Sequence, residues 1–285
     1  MRHPSRVGVD RQQGFWHWDA VEQSISRTTP EGKQLTLDVN DDISELDVDR
    51  ERGIVILDKS RSSVRVLGWN GQISSVFRLP YTAGSVVWMD GDQIAVAPQT
   101  APFLVEIWST GRKMRLRQLE PVPAIEKPAA GSVALRTTLL RYDGSRTQLF
   151  ALDAFEGRLV VFNADGRVSR RATISHPDLE ANRAFLKQLD LKALQKRESS
   201  MPTFSNYARF SVASDGSVWV GERTGDSATV TVARISPSGA ISRRKLRIPE
   251  CNSVRFELWQ GQLVFFRDPA STLPKCVAVS KERLK

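Results

Sequence analysis

Cysteine is nearly absent: the 285 residues hold two, Cys251 and Cys276. Two thiols cannot build a disulfide framework or a zinc site, and no neighbouring ligand completes a metal spacing. They read as small buried apolar side chains or as a single bond, and a bond would imply export. Long hydrophobic runs are also missing, so no helix is expected to cross a membrane. The opening stretch MRHPSRVGVDRQQG lacks the apolar centre of a secretory leader. As written, the chain reads as cytoplasmic; with a truncated start it would belong to the periplasm or cell envelope.

Histidine is scarce as well. His3, His17 and His176 stand apart from any Ser or Cys nucleophile pattern, and there is no phosphate-binding Gly loop, paired-carboxylate motif or HExxH. His17 lies inside FWHW and reads as structural, and His176 as a first-turn helix residue.

What is present is ordinary globular material, 40% hydrophobic and 26% charged, with a net charge of +9. The cations follow a rule of position. Arg112, Lys113, Arg115 and Arg117 follow Gly111; Arg167, Arg170 and Arg171 follow Gly166; Arg243, Arg244, Lys245 and Arg247 follow Gly239. Each group falls on the last strand of a repeat, where charge blocks edge-to-edge pairing. Spread around a circumference, they argue against a nucleic-acid groove and leave an anionic surface as the remaining charged partner.

The repeat is clearest from Gln148 to Gly166, QLFALDAFEGRLVVFNADG. Six short apolar runs align with its start: GFWHWD, GIVILD, DQIAVA, QLFALD, SVWVGE and QLVFFRD. They are bounded by Gly, Asp or Ser and rich in β-branched and aromatic residues, as buried strands are. Most are preceded by a strand and a tight turn, and most are followed by a strand ending in another Gly turn. Eighteen residues separate Gly14 from Gly32, Gly53 from Gly71, Gln93 from Gly111 and Gln148 from Gly166. Four short antiparallel strands at a period near forty residues form a unit that must stack in a ring. The reading is all-β: a six-bladed β-propeller of four-stranded antiparallel blades, one domain over 1–285.

Two repeats are stretched. The Pro-rich segment between Leu119 and Leu135 reads as an irregular loop, and 175–200 reads as a helical insertion opened by a capping box at Ser175 and Asp178. Both insertions join the last strand of one blade to the first strand of the next, which thickens one end of the ring. Loops near Ala124–Ser132 and Pro177–Tyr207 are therefore expected to shape a site there.

Asp153, Arg158, Leu159, Val161, Phe162 and Gly166 match the pattern of the NHL-type repeat, which the chain resembles; Asp58, Val64, Val66, Leu67 and Gly71 match it with Ser63 in the basic position. Pro202, Phe204, Asp215, Gly216, Val218, Trp219 and Val220, after the helical segment, are similar to a group of bacterial six-bladed propellers. Members of that group are frequently exported or lipid-anchored. The resemblance implies a fold and is nearly silent on function.

An acid ends the second strand in five repeats: Asp19, Asp58, Asp153, Glu222 and Asp268. In a ring these approach the channel mouth, as ligand-binding carboxylates or as ligands for a hard cation such as calcium. The preferred alternative is that each caps its own turn. A gluconolactonase-like, divalent-cation-dependent hydrolase also needs asparagine ligands from different blades, and Asn40, Asn70, Asn163, Asn182, Asn206 and Asn252 share no repeat position. Most tryptophans fall in strands and read as packing between blades. The expectation is thus a non-enzymatic binding or scaffold protein without a cofactor, monomeric, taking a protein or small-molecule partner at the loop-rich end.

Overall fold

The computed structural model describes residues 6–10, 14–19, 22–29, 31–39, 43–58, 60–122, 137–188, 206–222, 229–247, 256–259, 262–266 and 276–279. These residues form antiparallel sheets in chain order. Blade one holds β1 (Arg6–Val9), β2 (Phe15–Asp19), β3 (Ser24–Thr28) and β4 (Gln34–Asp38). Blade two holds β5 (Glu45–Asp49), β6 (Gly53–Asp58), β7 (Ser63–Leu67) and β8 (Ile73–Arg78). Blade three holds β9 (Ala83–Trp88), β10 (Gln93–Pro98), β11 (Phe103–Ser109) and β12 (Met114–Pro121). Blade four holds β13 (Thr138–Asp143), β14 (Gln148–Asp153), β15 (Arg158–Phe162) and β16 (Val168–Thr173). Blade five holds β17 (Tyr207–Val212), β18 (Val218–Glu222), β19 (Thr229–Ile235) and β20 (Ile241–Arg247). The last sheet has three strands, β21 (Phe256–Trp259), β22 (Gln262–Phe266) and β23 (Cys276–Val279).

The fold is a β-propeller of four-stranded antiparallel blades. Six complete blades were expected, and the described residues give five, with a three-stranded sheet after them. In that last sheet CVAV forms the third strand, and 280–285, after it, lie outside the described residues. The first strands meet in a circuit. β1 lies against β5, β5 against β9, β9 against β13, β13 against β17, β17 against β21, and β21 against β1.

The second strands β6 and β18 are buried along their whole length, and β10 and β14 in all but their first residue, because a neighbouring blade covers each face. This is why they read as continuous apolar runs. Fourth strands alternate instead, as in β16, with one face toward solvent. The cores lie between blades: Trp16, Ile25, Ile54 and Leu67 between one and two; Phe77, Trp88 and Trp108 between two and three; Leu104, Leu140 and Phe162 between three and four; Phe150, Tyr207 and Val220 between four and five; Trp219, Val232 and Phe265 between five and the last sheet.

Helix α1 (Leu179–Gln188) is the described part of the expected insertion; 189–205 and the Pro-rich stretch 123–136 lie outside the described residues. It starts differently from the Ser175–Asp178 box: the Asp178 N–H donates to Nδ1 of buried His176. The helix sits beside the turn after β14, where Arg183 bonds Glu156, and Asn182 bonds Asn206, which in turn donates to Phe155 O at 2.6 Å. Gly157 permits this approach, because a Cβ there would fall 2.3 Å from Ile174 O.

Candidate functional site

Three of the strand-end acids, Asp19, Asp58 and Asp153, are held by their own turns. Asp19 Oδ1 accepts the Glu22 N–H at 3.1 Å, and Asp153 Oδ1 accepts those of Phe155 and Glu156 at 3.1 and 3.0 Å. Asp58 takes the Ser60 hydroxyl at 2.6 Å and the Arg61 N–H at 3.0 Å. Burial alone would raise the Asp58 carboxyl, but those bonds and the guanidiniums of Arg61 and Arg65 hold it below the usual range. Buried Glu222 pairs with Arg243 at 2.8 Å. Asp268 and Cys251 lie outside the described residues, and so does the side chain of Cys276. Among the described residues no three His, Cys, Asp or Glu side chains gather as a metal-holding group. His17 sits in β2, half-buried, its ring pulled down by burial against the opposing pull of Asp19.

A cavity among the described residues stands apart from these acids. It has a volume of about 420 Å³ and is lined by the ends of β1, β13, β17 and β21 and by the turns that follow the first three of these strands. Asp143 pairs with Gln148 in the β13–β14 register while Asp153 pairs with Thr138, so cavity and strand-end acid stand at opposite ends of blade four. Five residue steps put them roughly 17 Å apart along the strand. The cavity thus opens away from helix α1.

Its polar wall rests on one carboxylate. Glu257, on β21, is 2% exposed. Its Oε1 accepts Arg141 Nη2 at 2.5 Å and Arg209 Nε at 2.7 Å, while Oε2 accepts the Ser211 hydroxyl at 2.8 Å. Ser211 Oγ also takes the Leu258 backbone N–H at 3.2 Å. Three first strands are tied at this point. Burial would lower Arg141, yet Glu257, Asp47 and Glu45 hold it above its ordinary value; Arg209 is pushed below, by burial and by Arg141. Asp47 lies on the far side of Arg141, its carboxyl raised by burial to about 6 although the Trp88 N–H and Arg141 oppose the rise.

Around this centre the acids are compensated. Asp10 is buried against Arg27 and accepts the Gly14 N–H at 2.8 Å. Asp143 takes Arg146 and the Ser145 hydroxyl at 2.8 and 2.6 Å. The cavity is therefore a built, charge-balanced polar surface with Val9, Val212 and Leu258 interleaved.

The sequence reading passed over these first-strand residues because it followed the more regular second strands. The usable signal was a charged residue alternating with apolar ones in ELDVD, TLLRYD and YARFSV. What the arginines touch adds to their expected place on edge strands. Arg117 donates to Ala164 O at 3.0 Å, Arg170 to Ser236 O and Gly216 O at 3.1 and 3.3 Å, and Arg243 to Ser175 O at 2.5 Å. These members of the basic groups fasten neighbouring blades as well as guarding edges. Trp16, Trp18, Trp88 and Trp219 are buried between sheets as expected; Trp108, which the sequence places at a turn, is buried in β11 instead, and the side chain of Trp259 lies outside the described residues.

No family model and no curated protein sequence matches the chain. Solved structures do resemble it. A virginiamycin B lyase from Staphylococcus aureus with quinupristin superposes with a TM-score of 0.56 at 14% identity, covering 97% of this chain and 84% of that one. Kuenenia stuttgartiensis hydrazine synthase gives 0.59 at 13% identity, with 93% and 73% covered. The β-propeller domain of Myceliophteria thermophila Cps50 (Swd1) gives 0.54 at 11%, with 98% and 86% covered. Two enzymes and a propeller domain stand side by side at this distance, so the likeness is one of fold.

Proposed function

We infer that the chain is a binding propeller without chemistry of its own, whose ligand is a small polar molecule seated in the cavity at the end of the first strands. One observation carries this: a buried carboxylate, Glu257, a guanidinium, Arg141, and a hydroxyl, Ser211, from three different strands line a cavity of about 420 Å³, with Arg209 bonded to the carboxylate behind them. That volume falls in the range of small-molecule sites, and convergent polar groups on rigid strands are what orient a ligand. In this reading the three-stranded sheet is a sixth blade, the NHL-like repeat marks kinship of architecture, and no metal cofactor is needed. The loop-rich end, with Asp19, Asp58, Asp153, Glu222 and Asp268, is left to hold the turns together.

The test is a thermal-shift panel of amino acids, sugars, sugar acids and nucleosides, run on the wild-type protein and on Ser214→Trp, which fills the cavity from its rim. At least one compound class should raise the wild-type melting temperature and leave the filled variant unmoved. A panel that shifts neither protein, or both equally, overturns the reading.

A further inference from the structure

Among the described residues the fourth strands β4, β8, β12, β16 and β20 stand at the open edges of their sheets. An open edge offers unpaired backbone groups to any passing strand, and Lys or Arg along it is the usual protection. β16 carries Arg170 and Arg171, and β20 carries Arg243, Arg244, Lys245 and Arg247. β12 carries Arg115 and Arg117 and ends on Pro121, which has no N–H. β8, ISSVFR, has a single cation, Arg78, at its last position.

Exposed apolar surface collects at this same edge. Of five large exposed hydrophobic residues among those described, Ile73 at 57% and Val76 at 44% belong to β8, and Leu35 at 44% to β4 next to it. The register explains why. Leu79 N–H donates to Ser62 O at 2.7 Å, so the alternation of an antiparallel pair gives the backbone groups of Phe77 and Ser75 to β7. Those of Val76 and Arg78 point outward.

The side chains divide in the same way. Ser75 Oγ donates to Thr110 O, and Phe77 stacks on Trp108 at 5.6 Å, so their face of β8 is committed to blade three. Val76 is on the opposite face, toward blade one. From the other side, Leu37 packs on the core shared with Ile54 and Leu67, and Leu35 lies on the same face of β4 as Leu37. Val76 and Leu35 therefore flank the wedge between the outer strands of blades one and two. In the next wedge Phe77, Tyr81, Trp108 and Glu106 fill the corresponding space.

We propose that β8 pairs antiparallel with β8 of a second copy of this chain, across a two-fold axis that passes through Val76. The choice of occupant rests on self-complementarity. With Val76 opposite its own copy, Ser74 faces Arg78 and no charge meets its like; a β-branched pair directly opposite is favourable. In the central registers of β16 and β20 the same operation sets cation against cation. One strand pair and a flanking wedge lie at the small end of specific interfaces, so the dimer is reversible, with a dissociation constant of about micromolar order. It replaces the monomer expected at the outset.

Sedimentation equilibrium from about 1 to about 300 µM tests this, since a micromolar constant must show within that window. The wild-type mass should climb from one chain toward two. Val76→Lys should raise the dissociation constant at least about ten-fold through like charges at the axis. Ser242→Lys, an added cation on an edge already guarded, should leave it unchanged. Ile73→Lys serves as a second disrupting variant, with thermal melts confirming that each folds. Under mild oxidation Val76→Cys should give a covalent dimer that Arg78→Cys does not. A wild type that stays at one chain throughout overturns the proposal, as does a Val76→Lys protein that dimerises equally well.

Discussion

The Asp47 carboxylate on β5 accepts the backbone N–H of Trp88 on β9 at 2.8 Å. A side chain of one blade thereby occupies the open edge of the next blade's first strand, within reach of the charge on Arg141. The same device recurs where Ser211 takes the Leu258 N–H. First strands have no partner on the channel side, and their exposed amides must be satisfied from across a blade boundary.

Asp47 gives a pH dependence with a fixed sign. Its folded carboxyl titrates near 6, above the value of 3.8 expected when unfolded, so the folded protein holds the proton more tightly. The stability linked to that proton is present in full below pH 3.8 and is lost as pH rises through 6. Asp47→Asn keeps an acceptor for Trp88 without the charge. Denaturant midpoints from pH 4 to 8 should fall less steeply for the variant, which should be the more stable protein at pH 8. Parallel curves would refute the assignment.

Glu257 neutralises two guanidiniums at once. Glu257→Ala leaves both, half-buried, without their acceptor and should cost about 1.5–3 kcal/mol, the usual worth of hydrogen bonds to a charged group. Arg141→Ala leaves Arg209 and Ser211 on the carboxylate and should cost clearly less. Urea titration of the two variants and their double mutant decides this; equal single costs with no coupling would mean the cluster does not act as a unit.

Arginines within one basic group should separate by what they touch. Arg170 donates to two carbonyls of blade five, whereas Arg167 is 87% exposed beside Asp165. Arg170→Ala should lose about 1–3 kcal/mol through unsatisfied carbonyls and lost packing, and Arg167→Ala less than about 0.5 kcal/mol. Melts in low and high salt check the cause, because the Arg170 loss should survive salt that screens surface charge.

Glu106 is fully buried on β11 and accepts Arg115 at 3.0 Å, Gln118 at 2.8 Å, Trp108 Nε1 at 3.2 Å and the Tyr81 hydroxyl. Burial and Glu106 together push the Tyr81 phenol up. Glu106→Gln replaces an acceptor oxygen by a donor among donors, and should cost about 2–3 kcal/mol. The fluorescence of Trp108 should shift with it, while Tyr81→Phe should cost about 1 kcal/mol. An unchanged midpoint for Glu106→Gln would show that the network carries no net stability.

Much of the architecture was legible because ring stacking leaves a local mark. A second strand covered on both faces must be apolar throughout, as GIVILD and QLFALD are, and Gly166 closes its turn at a positive φ of 84° that few residues adopt. The candidate site was hardly legible. Arg141, Arg209 and Glu257 come from separate repeats, and their sequence neighbours give no sign that three strands converge. Asp58 and Asp153 were conspicuous for the opposite reason: a turn cap recurs in every repeat that needs one. The reach of Arg117 and Arg170 was equally hidden, since a carbonyl in the next blade becomes a neighbour only when the ring is built.

The apolar cores lie at the boundaries between sheets, and five such boundaries are filled among the described residues. The sixth boundary brings together β21 and β1, from the last and first sheets in chain order, whereas at each of the other five the two sheets follow one another directly along the chain. A ring assembled in this way behaves as a bracelet with a clasp. Thermal opening, hydrogen exchange and the first proteolytic cuts should begin between the first and last sheets, while blades two to four, each held between two filled joints, stay shut until the whole chain lets go.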